Sequence, residues 1–262
     1  MPLHTPAAGA PCWFELSSTD VPRSLAFLRA VFGWNSVAMD VGDPAGAYHF
    51  LKNATGTIGA CGGMPPDAAG APSYWGVYFG TDNLDASLAT AQSFGAKALA
   101  EPFDVPGHGR GAVLADRGGA MFNLWQSANM DAGDFTMFEN NAVGWVELAT
   151  RDVDAAQDFY GTVLGWRFRE SANAPAGTRY SEYAAGETWY GGLLQMTKEW
   201  GDMPEHWSLY VVVDNVDATL AATTAAGGAI TVPAFDAPGV GRIARVDDPT
   251  GAGCYVVQLA RG

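Results

Sequence analysis

Two Trp-x-Glu triplets, Trp13-Phe-Glu15 and Trp145-Val-Glu147, are the residues in this chain best suited to chemistry. Each opens a run of alternating character that ends in aspartate, Trp13-Phe-Glu-Leu-Ser-Ser-Thr-Asp20 and Trp145-Val-Glu-Leu-Ala-Thr-Arg-Asp152, so each reads as a strand. Side chains two residues apart on a strand share a face, which puts Glu15 beside Trp13 and Glu147 beside Trp145. A carboxyl group against an indole wall is poorly hydrated. Desolvation raises its pKa and makes it a usable general acid or base near neutral pH. The competing role is structural, a rim glutamate in water or paired with an arginine such as Arg110 or Arg242.

The two triplets belong to a longer internal repeat. Trp13 and Trp145 are 132 positions apart, and the same offset relates Phe32-Gly-Trp34 to Leu164-Gly-Trp166, Trp75–Asp82 to Trp207–Asp214, and Pro106-Gly-His-Gly-Arg110 to Pro238-Gly-Val-Gly-Arg242. One offset over four segments divides the chain into a tail (1–11), a first domain (12–127), a linker (128–143) and a second domain (144–260). A fainter repeat lies inside each domain, because Trp75-Gly-Val-Tyr-Phe-Gly-Thr-Asp82 repeats the pattern of Trp13–Asp20. Each of these strands leads into a helix. Leu25, Leu28 and Phe32 recur at helical spacing before Gly33, as do Leu84, Leu88 and Ala91 before Gly95. Three short strands follow each helix, near 35–41, 47–52 and 57–62, then near 97–101, 111–115 and 120–126. The expected fold class is α+β, with two tandem domains built from four β-α-β-β-β modules.

This module order, with Asp248-Pro-Thr-Gly251 before the last strand and Asp116-Arg-Gly-Gly119 as its degenerate twin, resembles the vicinal-oxygen-chelate superfamily of glyoxalases, bleomycin-resistance proteins and extradiol dioxygenases. The Trp-x-Glu-Leu start, Phe103-Asp104…Gly109-Arg110, Phe235-Asp236…Gly241-Arg242 and His206-Trp207 are similar to its two-domain actinobacterial branch, which includes a mycobacterial secreted antigen and proteins labelled hydroxylases. The resemblance implies curved, cup-shaped mixed sheets. It also implies that metal-dependent members draw ligands from the first residue of each module's opening strand and from the last strand of the second module. Counting seven back from the aspartates, those opening positions fall on Trp13, Trp75, Trp145 and Trp207, and the last-strand positions on Asn123 and Tyr255. Indole cannot coordinate a divalent ion of the kind such sites use, so no metal and no other cofactor is expected. All four Trp are expected to face the cups, either stacking a ligand or simply packing, with Tyr48 and Tyr180 on middle strands as phenol donors or as strand residues with hydroxyls in water, and Asn123, Tyr255, Arg110 and Arg242 as further binding candidates. Histidines do not restore the metal set: His4 is in the tail, His49 on a strand, His108 in a Gly-rich turn, and His206 on the strand face opposite Trp207.

Composition bounds the partners. The 262 residues are 48% apolar and 12% aromatic, ample for a core, and 28 acidic against 14 basic side chains give a formal charge of −14. That field repels phosphate backbones and anionic lipid, so neither nucleic acid nor membrane is an expected partner. Three scattered cysteines, Cys12, Cys61 and Cys254, fit a reducing compartment, and no segment reads as a signal peptide or membrane span, which makes the cytoplasm the expected location. Four modules in one chain supply by fusion what smaller members obtain by dimerising, so a monomer or weak dimer is expected. The functional expectation is metal-independent acid/base chemistry on an apolar or aromatic small molecule, of lyase, isomerase, cyclase or oxygenase type, with Glu15 and Glu147 as its acid/base groups. The alternatives are a non-catalytic sequestering protein of the bleomycin-resistance type and a metal-dependent glyoxalase or dioxygenase with displaced ligands.

Overall fold

A computed structural model describes residues 8–39, 48–65, 68, 70–128, 134–174 and 177–260. The expected tail residues 1–7, His4 among them, and residues 129–133 of the expected linker lie outside the described residues. The four modules follow in chain order. The first is β1 (Pro11–Ser18), α1 (Val21–Phe32), β2 (Asn35–Met39), β3 (Tyr48–Lys52) and β4 (Thr57–Gly63). The second is β5 (Tyr74–Gly80), α2 (Leu84–Ser93), β6 (Lys97–Ala98), β7 (Phe103–Val105), β8 (Gly109–Ala115) and β9 (Met121–Ser127). The third is β10 (Val143–Thr150), α3 (Val153–Leu164), β11 (Arg167–Glu170), β12 (Tyr180–Ala185) and β13 (Thr188–Gln195). The fourth is β14 (His206–Val212), α4 (Val216–Ala225), β15 (Ala229–Ala237), β16 (Gly241–Asp247) and β17 (Gly253–Leu259). The fold is α+β, as the pattern predicts, with one added strand: Phe103-Asp-Val105 pairs with β8 in a hairpin closed at Gly107-His108.

Within each module the opening strand is parallel to the last one, β1 to β4, β5 to β9, β10 to β13 and β14 to β17, and the others run antiparallel. Each helix starts on a side-chain cap that accepts from the third helical N–H: Asp20 for α1, Asn83 for α2, Asp152 for α3 and Asn215 for α4. Helices α1 and α3 stop at Gly33 and Gly165, both left-handed at φ 69°.

The chain forms two compact units that interleave the repeats. One joins residues 1–13, 77–133 and 145–207, the other 14–76, 134–144 and 208–262. The first unit thus unites the second and third modules, and α2 packs on α3 within it. Its core is aromatic. Trp166 stacks on Tyr183 (centroids 3.8 Å, 11°) and on Tyr160 (5.0 Å, 19°), and Phe79 meets Trp166 edge-on at 5.2 Å. Each such pair adds about 0.5–1.5 kcal/mol beyond its burial. In the second unit α1 packs on α4, and Trp34, the repeat mate of Trp166, is buried beside Phe32. Both indoles donate to backbone, Trp166 to Gly9 O (2.7 Å) and Trp34 to Asn141 O (2.8 Å), so neither polar atom is left unsatisfied.

The turn aspartates brace these units. Asp116 accepts from the N–H groups of Gly118 and Ala120 and from the Tyr160 hydroxyl of α3 at 2.8 Å. Asp248 accepts likewise from Thr250 N and Ala252 N, and from Ser24 Oγ of α1. Burial pushes the Asp116 carboxyl above the usual carboxylate range, against the lowering effect of the Tyr160 hydrogen bond.

Candidate functional site

Alternation along each opening strand decides which residues can meet a ligand. In β1, Phe14 and Leu16 are fully buried under helix α1, and in β10, Val146 and Leu148 are the same. Trp13 and Glu15, and Trp145 and Glu147, therefore lie on the helix-free face, as their spacing predicts. The second and fourth modules differ. There the buried residues are Val77 and Phe79 in β5, and Leu209 and Val211 in β14, which places Trp75 and Trp207 on the core side with them. Trp75 meets Trp34 edge-on at 6.2 Å. Trp207 is edge-on to Tyr160, Phe79 and Tyr183 in the aromatic core. The expectation that all four Trp line cups is thus corrected for Trp75 and Trp207. The cause is one residue of register: the helix caps are Asp20 and Asp152 in one pair of modules but Asn83 and Asn215 in the other, each one beyond the aligned aspartate. Counted from the real caps, the positions equivalent to Trp13 and Trp145 are Gly76 and Ser208. His206 is indeed opposite Trp207, but it is Trp207 that faces the core.

The structure brings together residues that the sequence nominated separately. Tyr48 Oη of β3 donates to Glu15 Oε2 at 2.8 Å, reaching across β4. In the second repeat Trp145 Nε1 donates to Tyr180 Oη at 2.7 Å, and the Tyr180 hydroxyl is hydrogen-bonded to Glu147. Glu147 is only 8% exposed. Burial pushes the Tyr180 hydroxyl well above the usual phenol range, and the nearby Glu147 charge pushes the same way, so Tyr180 stays a neutral donor. Each tyrosine needs a small neighbour on the intervening strand. A Cβ at Gly192 would collide with the Tyr180 ring and hydroxyl, and one at Gly62 would stand 3.2 Å from the Tyr48 ring.

The remaining candidates fall elsewhere. Asn123 Nδ2 donates to Val77 O at 3.1 Å, and on the same face of that module Trp125 meets Tyr78 and Phe103 edge-on or tilted, each at 6.4 Å. Tyr255 stacks on Tyr210 with centroids 4.6 Å apart. Arg110 pairs with Asp85 and Asp104, and Arg242 with Asp217 and Asp236, half-buried guanidiniums on exposed carboxylates, and these are the ion pairs of both arginines. A pocket of about 350 Å³ lined by Phe32, Asn53, Thr55 and Glu139–Asn141 shares no residue with these clusters. Burial holds the thiols of Cys12, Cys61 and Cys254 up at about 12, which removes them as nucleophiles at neutral pH.

The positions that the family resemblance implies for metal ligands, recounted from the helix caps, hold Trp13, Gly76 and Asn123 in one repeat and Trp145, Ser208 and Tyr255 in the other. Neither set offers an imidazole, thiolate or carboxylate, and among the described residues no cluster of three His, Cys, Asp or Glu could hold an ion. These residues do not fit a divalent metal.

Two copies of a β-α-β-β-β pair with an acid–phenol pair on the helix-free face define a glyoxalase-like protein. The chain belongs to the Glyoxalase/Bleomycin resistance protein/Dioxygenase superfamily, whose family model matches residues 12–124 and 142–253. It is 34% identical to the anthracycline biosynthesis protein DnrV of Streptomyces peucetius over 269 residues, covering 98% of this chain and 95% of that protein. It is also 34% identical to CFP32 of Mycobacterium bovis, whose name assigns it provisionally to the glyoxylases, over 96% of this chain and 95% of that protein. Among solved structures it resembles the Mn(II)-bound glyoxalase of Novosphingobium aromaticivorans (TM-score 0.65, 14% identity, 96% of this chain and 82% of that one). The 2,3-dioxygenase LapB of Pseudomonas sp. KL28 is similar at TM-score 0.66 and 12% identity, over 98% and 94% of the two chains. At such identities these structures speak for the fold alone. No helix is long and apolar enough to cross a membrane among the described residues.

Proposed function

We infer that this protein binds an aromatic small molecule on the helix-free faces of its sheets and moves protons on it with Glu15 and Glu147, without a metal. The observation that carries this reading is the recurrence of one hydrogen-bonded Tyr–Glu pair, Tyr48–Glu15 and Tyr180–Glu147, at the same place in both repeats. A carboxylate oriented by a phenol and walled by an indole is a positioned proton acceptor, and the phenol is a positioned donor. The Trp145 indole, beside the Tyr180–Glu147 pair, supplies a stacking surface for a flat ligand. Two Streptomyces relatives are named as anthracycline biosynthesis proteins, which supports a polycyclic aromatic ligand with carbonyl and hydroxyl oxygens. Such ring systems carry acidic C–H bonds beside carbonyls, the kind of site at which a carboxylate base acts. The reading also takes the chain to work in the cytoplasm as a monomer or weak dimer, without nucleic acid or membrane.

Deuterium exchange tests it without knowledge of the product. Tetracyclic anthracycline-type ketones incubated with the protein in D₂O should take up deuterium beside a carbonyl. Glu15→Gln or Glu147→Gln should lower that rate by at least about 10²-fold with the thermal midpoint nearly unchanged. Prior dialysis against EDTA should leave the rate intact. If both Gln variants exchange at the parental rate, the acid/base assignment falls; if the protein binds these ketones without raising exchange above the rate in buffer, it is a sequestering one.

A further inference from the structure

The two repeats differ along one row of side chains that crosses the β10–β13 sheet. Strand register aligns Arg169 with Glu182, Glu182 with Gly192, and Gly192 with Glu147. The same row in the first repeat aligns Val37, Phe50, Ala60 and Glu15, each 132 positions earlier. One row is apolar up to its glutamate, the other charged.

The charged row is a built arrangement. Arg169 Nε and Nη2 donate to Glu182 Oε2 at 2.7 and 2.5 Å, and Ser171 Oγ donates to Glu182 Oε1 at 2.6 Å. The guanidinium lies 3.9 Å over the Trp189 ring, which fixes its plane. The Glu182 side chain is 12% exposed while that of Arg169 is 55% exposed, so the carboxylate is enclosed and the guanidinium remains accessible. Glu182 takes Nε and Nη2, and among the described residues Nη1 has no acceptor. Arg169 and Glu182 share the face of Tyr180 and Glu147, because Tyr180 and Glu182 are two apart on one strand.

We propose that Arg169, held by Trp189 and Glu182, is a specificity-determining residue of the second repeat that hydrogen-bonds a neutral carbonyl oxygen on the edge of an aromatic ligand. Electrostatics selects a neutral acceptor over an anion. Two carboxylates, Glu182 and Glu147, stand in the row against one guanidinium, so a ligand carboxylate would meet net repulsion, whereas a ketone or quinone oxygen only needs the donors. The first repeat, with Val37 and Phe50 in the corresponding places, offers no such donor and would take a hydrocarbon ring.

This proposal rests on the aromatic-ligand reading above but is read by binding, which needs no turnover. The full chain is titrated, in one fixed cosolvent, with 9,10-anthraquinone, with anthracene as its hydrocarbon outline, and with anthraquinone-2-carboxylate. The parent should bind the quinone at least about tenfold tighter than the hydrocarbon, the scale of one well-placed hydrogen bond to a charged donor, and should not prefer the carboxylate. Replacing the pair by its first-repeat counterparts, Arg169→Val with Glu182→Phe, should bring the quinone-to-hydrocarbon ratio near one. Arg169→Lys guards against a misfolded double variant: it keeps the ion pair but lacks the planar fork, and should lose most of the preference. A parent without quinone preference, a preference for the carboxylate, or an unchanged ratio in a folded Arg169 variant overturns the proposal. Should the ratio fail while Glu147→Gln still abolishes deuterium uptake, only the specificity assignment falls. Should the ratio respond while Glu147→Gln exchanges normally, only the acid/base reading falls.

Discussion

Gly192→Ala isolates the seating of Tyr180. Gly192 does not have a left-handed backbone, so alanine brings no conformational strain there. The added methyl is the whole perturbation. The three atoms it would meet first, all inside van der Waals contact, belong to the Tyr180 ring and hydroxyl. Overpacking of this kind costs about 1–3 kcal/mol, and the entropy alanine removes from the unfolded chain returns about 0.4–1 kcal/mol. The net cost is centred on about 1.3 kcal/mol and reaches at most about 2.6 kcal/mol, or up to roughly 5–10 °C in thermal midpoint for a chain of this size. If the ring swings aside instead, the hydrogen bonds to Trp145 and Glu147 are lost, worth about 1 kcal/mol for the neutral one and more for the charged one. Calorimetry on Gly192→Ala, Tyr180→Ala and the double variant checks the reasoning. With Tyr180 removed, the methyl meets none of those atoms, and its cost should fall to near zero. A cost that persists within about 0.5 kcal/mol in the Tyr180→Ala background would refute the seating argument.

Three further outcomes follow from the same geometry. Trp207→Leu should destabilise by about 2–4 kcal/mol in denaturant unfolding through loss of core volume, whereas Trp145→Leu should weaken aromatic ligand binding at nearly parental stability; the reverse result would undo the face assignment. The folded-state pKa of Asp116 is raised by burial, so its contribution to stability is greatest below its unfolded pKa and is lost as pH rises through the folded value. Asp116→Asn should therefore remove the part of the pH dependence of the thermal midpoint that sets in above the ordinary carboxylate pKa of about 4, and a slope there equal to the parent's would contradict this. With all three thiols held at about 12, the native protein should show no rapid reaction with Ellman's reagent at neutral pH and three reactive groups once unfolded in guanidinium.

The fold was legible because each module announces itself locally. An alternating strand, a capping residue, a helix stopped by glycine and three short strands are all short-range signals, and the constant offset shows that they recur. What failed in the sequence was parity. Asp82 and Asp214 look like the caps that Asp20 and Asp152 are, yet the side chains that accept from the third helical N–H belong to Asn83 and Asn215. One residue of error reverses a strand's faces, and so Trp75 and Trp207 were assigned to cups they do not line. The signal was present: asparagine is as good a cap as aspartate, and counting from it would have placed both indoles in the core. The Tyr–Glu pairing was invisible for another reason. It depends on the order β3-β4-β1, in which the tyrosine must cross a whole strand, and only the small residues Gly62 and Gly192 hint that the crossing strand leaves room. The charged row of Arg169, Glu182 and Trp189 carries no repeat signal in the sequence, because it has no counterpart in the first repeat.

That lack of a counterpart is itself informative about how the two repeats share their work. On the core side the repeats stay interchangeable: Leu16 and Leu148 are both fully buried, and Trp34 and Trp166 both bury an indole that donates to a backbone carbonyl. The braces are conserved in geometry even where the donor changes, from Tyr160 on Asp116 to Ser24 on Asp248. Stability constrains those positions, since a buried group left without its partner costs about 1–3 kcal/mol. On the helix-free face the Tyr–Glu pair and the indole beside it, Trp13 or Trp145, are common to both. Beyond them one row is Val37 and Phe50, and the other Arg169 and Glu182. The tyrosines stay tied to their glutamates in both repeats while the two outer positions of the row change from apolar to charged. The proposed proton-transfer role of the pair, with a different row beside it in each repeat, would account for both the constancy and the divergence.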